Sequence, residues 1–158
     1  MLKPKKHYFT GRSSERGQSF VEFSIVIVFL IMLVAGVADL GRVFFSYLSL
    51  QDAAQEGATY ASAYPSWCYR ANIRARDTVR NFSSVTVKVY IDNVLACQDG
   101  TVTNAGALTG ACSGKEVKVL VSQNDYKIST PFIGALFGTQ TVTLTADAID
   151  YVLRPTCP

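Results

Sequence analysis

The sequence predicts an α+β chain: a long N-terminal membrane-spanning helix continuing into a small domain with an antiparallel sheet of about three strands. Three observations predict it. Sixteen residues in a row, Phe23 to Ala38, carry no charge. Helix-compatible sequence then runs on without a proline to Tyr64. Beyond it, three segments alternate apolar and polar residues with a period of two, the signature of half-buried strands.

The first 17 residues are polar and basic. Before Gly17 there are five Lys/Arg (Lys3, Lys5, Lys6, Arg12, Arg16) and one acid, Glu15. From Asp39 onward the ten Lys/Arg are balanced by ten Asp/Glu. The net charge of +3 therefore resides in the leader, and no nucleic-acid surface is expected. Short basic flanks stay on the cytoplasmic side, which predicts an N-terminus inside and residues 39–158 outside.

The apolar run is too long for a signal-peptide core and does not end in an Ala-x-Ala site. Counted from Gln18 to Ala38 it would span about 31 Å at ~1.5 Å per residue, one hydrocarbon thickness. A retained single-pass helix is expected. It should continue outside the membrane, because Val43, Tyr47, Leu50, Ala54 and Ala61 recur at helical spacing, and Pro65 should end it. This gives three regions: a leader at 1–17, a helix at 18–64 and an extracytoplasmic domain at 65–158.

Residues 66–82, with Arg70, Arg74, Arg76 and Arg80 interleaved with apolar positions, predict a second short helix whose arginines mark its polar side. The strand candidates are 85–91, 117–122 and 141–148. Residues 98–114 are expected to form a loop, and residues 125–139 a connection with a partly buried aromatic turn at Phe132 and Phe137.

All four cysteines, Cys68, Cys97, Cys112 and Cys157, fall on the predicted outer side. An even count in an oxidising compartment predicts two disulfides. Three pairings are open; Cys97–Cys112 and Cys68–Cys157 are the expected ones. No CxxC spacing supports a metal site, and no cofactor is expected. The one histidine, His7, lies in the leader, and no nucleophile has a base near it in sequence, so no enzyme is expected.

The junction at the start of the helix carries the functional information. Glu22 is a carboxylate at the mouth of an apolar span, and hydrocarbon penalises a charge by roughly 2.5–3.5 kcal/mol. Such a group is a functional candidate by default. Asp39 and Arg42, three apart, are expected to pair at the outer membrane surface. Asp52 and Glu56 form either a solvated face or a docking point for the arginines at 70–80.

Gly17 followed by Gln18-Ser19-Phe20-Val21-Glu22-Phe23 resembles the processing junction of type IV pilins. Val37-Ala38-Asp39-Leu40-Gly41-Arg42, Asp52-Ala53-Ala54-Gln55-Glu56-Gly57-Ala58 and Val142-Thr143-Leu144-Thr145-Ala146-Asp147-Ala148 resemble the TadE-like pseudopilins of Tad/Flp pilus systems. The resemblance implies a cut between Gly17 and Gln18 by a prepilin peptidase. Glu22 and Phe23 would then be assembly residues. The chain would be a minor structural subunit of the inner membrane, acting in pilus initiation or at the tip. Its implied partners are other pilin-like subunits, the peptidase, the inner-membrane assembly platform and membrane lipid. In the rival reading, the chain is an uncleaved single-span envelope protein whose domain scaffolds a secretion complex or binds a ligand for it.

Overall fold

A computed structural model describes residues 15–129 and 138–154. The first 14 residues of the leader, the expected aromatic turn at Phe132 and Phe137, and Cys157 lie outside the described residues. The chain divides into two compact units, Met1–Ala38 and Asp39–Pro158.

Helix α1 (Glu15–Ala63) is 49 residues long. In the first unit its side chains are exposed on every face: Phe29 is 68% and Leu33 64% exposed. A stretch of the helix is apolar enough to cross a membrane once, with mean hydropathy 2.8 and none of it buried inside the chain. A helix apolar all round with nothing packed on it fits a lipid surrounding. Among the described residues it is the one helix long and apolar enough to span a membrane, which suits a single-pass membrane protein.

In the second unit α1 becomes one-sided. Leu50, Ala53, Ala54, Ala58 and Ala61 are at most 2% exposed, whereas Asp52, Gln55 and Glu56 face solvent. Its small-residue face supports close packing at Gly57. A Cβ added there would stand 3.1 Å from Val119 Cγ1 and 3.2 Å from Ala75 Cβ. Helix α1 ends at Ala63, two residues before Pro65, which cannot supply an amide to continue it.

Helix α2 (Cys68–Thr78) buries Cys68, Ala71, Asn72 and Ala75 and leaves its arginines exposed, as expected. The sheet follows: β1 (Val85–Ile91), β2 (Val94–Gln98), β3 (Thr101–Val102), β4 (Glu116–Lys127) and β5 (Thr141–Tyr151), with helix α3 (Ala105–Thr109) between β3 and β4. The order is β3-β2-β1-β4-β5, every neighbouring pair antiparallel. The three expected strands are β1, β4 and β5. The sheet has five, because two tight hairpins add β2, which lies just before the expected loop, to β1, and β3, from the start of that loop, to β2.

Both hairpins have two-residue turns with positive φ at each central residue. Asp92 and Asn93 (φ 51° and 63°) join β1 to β2, and Asp99 and Gly100 (φ 49° and 82°) join β2 to β3. Turns of this hand match the strand twist, and Asp, Asn and Gly tolerate them best. The rest of the expected loop contains α3, capped by the Asn104 side chain, which accepts from the Ala107 amide.

Alternation along β1 and β4 buries Val87, Val89, Ile91, Val117, Val119 and Val121 in one core with the α1 and α2 alanines. On the side where Val87 lies, Asp99 extends the ladder. Its amide donates to the Val87 carbonyl at 2.8 Å, and its Oδ1 accepts from the Val87 amide at 2.9 Å and from Arg76 Nη2 at 2.7 Å.

The disulfides correct one expectation. Cys97 pairs with Cys68 and not with Cys112, linking the first turn of α2 to β2 with a Cα–Cα distance of 6.0 Å. Pairing within the β-sheet explains this. Cys97 lies opposite Val89, a core-facing residue of β1, and is itself 1% exposed; Cys68 is 4% exposed. The expected Cys68–Cys157 pair is excluded by the same bond. Cys112 is also disulfide-bonded.

Candidate assembly junction

The residues singled out at the N-terminal junction all lie on α1. Gly17, Gln18, Glu22 and Phe23 are exposed. A Cβ at Gly17 would meet nothing within 4 Å, so packing within the chain does not require glycine there. Glu22 falls four residues after Gln18, one helical turn and ~6 Å along the axis. Its carboxylate has no hydrogen bond or ion pair among the described residues. Two residues later the hydroxyl of Ser24 donates to the Phe20 carbonyl at 2.8 Å, so this polar group is satisfied within the helix. Glu22 is thus an acid at the start of an apolar span, with no compensating group among the described residues.

At the start of the second unit Asp39 is buried, 6% exposed. Arg42 is exposed, and its Nη1 donates to Ser129 Oγ at 3.0 Å, tying α1 to the residues just after β4. This contact, 87 residues away in sequence, was beyond the reach of spacing arguments. Farther along α1, Glu56 meets Arg74 at 3.9 Å, with both side chains more than half exposed. An exposed pair of this length contributes little to stability. Asp52 is solvated, with no ion pair among the described residues.

A group of aromatic side chains in the head was missed by sequence reasoning. Tyr60, Tyr64 and Trp67 form a ladder of rings with centroids 5.3 and 6.3 Å apart, and the Arg74 guanidinium lies 5.9 Å from the Tyr60 centroid. The helical spacing of Tyr60 and Tyr64 was the available signal. Among the described residues, no three His, Cys, Asp or Glu side chains are placed to hold a metal ion.

The junction, the apolar span and the small-residue face of α1 form one continuous stretch of sequence. Residues 17–59 match the model of the TadE-like protein family. The matched segment begins at Gly17, includes Glu22, Asp39 and Arg42, and stops four residues short of the end of α1. It lies on the same helix that carries most of the TadE resemblance read from the sequence. The sheet lies outside it. No curated protein and no solved structure matches the chain.

Proposed function

We propose that this protein is a minor, pilin-like structural subunit of a Tad/Flp-type pilus, used in starting the filament or in its tip complex, and not an enzyme. The observation that carries this reading is the TadE-like match over residues 17–59, with Glu22 at the start of the apolar span and without an ion pair among the described residues. A prepilin peptidase cuts between Gly17 and Gln18 on the cytoplasmic face of the inner membrane. The cut removes a leader with five cations and one acid. It also creates an α-ammonium on Gln18, one turn from Glu22.

That amine is a counter-charge within reach of the carboxylate. A carboxylate in a low-dielectric surrounding is costly alone and favourable once paired. In a bundle of such helices, the amine of one subunit meets Glu22 of its own chain or of a neighbour, and the pair sets the axial register of assembly. The head, residues 39–158, lies outside the inner membrane. It is too large to repeat easily along a thin filament and suits an end position with other pilin-like subunits.

The test is the N-terminus of the mature protein, read by mass spectrometry of membranes from cells carrying the pilus system. A chain beginning at Gln18 is expected, and Gly17→Val should leave it beginning at Met1. Glu22→Ala should insert normally and fail to support piliation. A mature chain that keeps residues 1–17 would instead indicate an uncleaved envelope protein.

A further inference from the structure

We propose that the head carries a binding cleft for an acidic saccharide, formed where the first turn of α2 meets the β2–β3 hairpin. Trp67, Tyr69, Arg70, Gly100 and Val102 line an open cleft of about 350 Å³, at the small end of the size range of ligand sites. The cleft is separate from the junction at Gly17–Phe23 and from the TadE-like segment, so it goes beyond the proposed assembly role.

Three observations point to the ligand. The first is an aromatic platform facing solvent. Trp67 is 54%, Tyr69 65% and the neighbouring Tyr64 55% exposed, and the Tyr64–Trp67 ring contact orders the platform. Rings of this kind present an electron-rich face, and the weakly positive C–H bonds of a pyranose ring seat on it.

The second is a free cation. Arg74 meets Glu56, Arg76 meets Asp99 and Arg80 meets Asp77, but Arg70 has no carboxylate among the described residues. A guanidinium is a planar fork for a carboxylate, and Arg70 lines the same cleft as Trp67 and Tyr69. Together, a stacking face and one carboxylate fork specify a uronic-acid type of sugar.

The third is a fixed wall. Gly100, at φ 82°, brings the turn so close to α2 that an added Cβ would stand 3.3 Å from the Tyr69 ring and 3.1 Å from Asn72 Nδ2. The Cys68–Cys97 bridge joins the same two elements. The cleft is therefore preorganised, which reduces the ordering cost of binding.

Two rival ligand classes fit less well. A nucleic-acid strand needs a row of free cations along its backbone, and here the neighbouring arginines are engaged by carboxylates. An acidic polypeptide would be anchored by aliphatic side chains in a larger apolar core, and the cleft offers only Val102.

The protein contains one tryptophan, so its fluorescence reports this cleft directly. Full-length protein in detergent micelles is titrated with oligogalacturonate, a neutral cello-oligosaccharide of equal length, hexaglutamate and oligothymidylate. Oligogalacturonate should give a saturable change in Trp67 emission, with at least tenfold weaker binding of the other three. Arg70→Gln should weaken oligogalacturonate binding at least tenfold, Arg70→Lys less, and Tyr69→Ala at least tenfold. Both side chains face solvent, so these variants keep the fold, and unchanged circular dichroism checks this. The inference is overturned if oligogalacturonate gives no saturable change. It is equally overturned if any comparator binds as tightly, or if Arg70→Gln binds like the parent.

Discussion

The most informative perturbation of the head is a methyl group at Gly57. Glycine in a helix interior costs about 1 kcal/mol relative to alanine, so Gly57→Ala would stabilise α1 if space allowed. The structure gives that methyl 3.1 Å to Val119 Cγ1 and 3.2 Å to Ala75 Cβ. Both neighbours must retreat by a few tenths of an ångström. Neither does so easily: Val119 is fully buried in β4, and Ala75 belongs to a helix pinned by the Cys68–Cys97 bridge. Overpacking of this kind costs about 1–3 kcal/mol. The net expectation is a loss of about 0–2 kcal/mol, and Gly57→Leu should go further and disrupt the packing of α1 on the sheet. The assay is amide hydrogen exchange of Val117–Val121 in the full-length protein in micelles, where ~1.4 kcal/mol is tenfold in rate. Gly57→Ala should exchange up to about thirtyfold faster. Gly41→Ala is the matched control, because a Cβ there meets nothing within 4 Å; its exchange should be unchanged or slower. If Gly57→Ala protects these amides as Gly41→Ala does, the close approach of α1 to β4 is wrong.

Other expectations can be checked in the same preparation. Asp99→Ala leaves the Val87 amide without its side-chain acceptor and removes the carboxylate that pairs with Arg76, which keeps its bonds to Asn72 Oδ1 and the Val85 carbonyl. A lost partner for a buried donor costs about 1–3 kcal/mol, measurable as a lower urea midpoint; an unchanged midpoint would mean the turn contributes nothing. Removing the Cys68–Cys97 bridge frees a span of 29 residues, worth about 3–4 kcal/mol on the loop-entropy account, so the Cys68→Ser/Cys97→Ser pair should lower the midpoint strongly. Non-reducing peptide mapping should recover Cys68 and Cys97 in one linked fragment, and a Cys97–Cys112 fragment would contradict the β2 register. Arg42→Ala removes the contact to Ser129 at an exposed site and should change stability by no more than about 0.5 kcal/mol.

Much of this fold was legible because its strongest signals are periodic. The charge-free run and the small-residue stripe identify α1, and Pro65 marks its end. Alternating valines identify β1 and β4. What escaped was the region where alternation fails. In β2, Ala96 and Cys97 are consecutive and both buried, because the ladder slips between Val89 and Tyr90. A period-two reading finds no strand there. The turns did carry a signal, since Asp92-Asn93 and Asp99-Gly100 are residue pairs suited to positive φ. Read as turns, they would have given the hairpins, and with them the position of Cys97. The pairing of cysteines was not legible, because it depends on which face of β2 looks toward α2. At the junction, Glu22 was conspicuous from its chemistry alone. The Tyr60–Tyr64–Trp67 ladder escaped because its last ring lies beyond Pro65, where helical spacing no longer applies.

The bridge between α2 and β2 also bears on the sequence of events in biogenesis. Its two sulfurs come from different elements, 29 residues apart in sequence. Thiols inside the cell are kept reduced, so an exported head lacks this crosslink until both elements have emerged. Under the proposed export of the head, the chain is less stable during transport than after arrival. A loosely held domain passes through a translocation machinery more readily than a locked one, and oxidation then makes the compact form hard to undo.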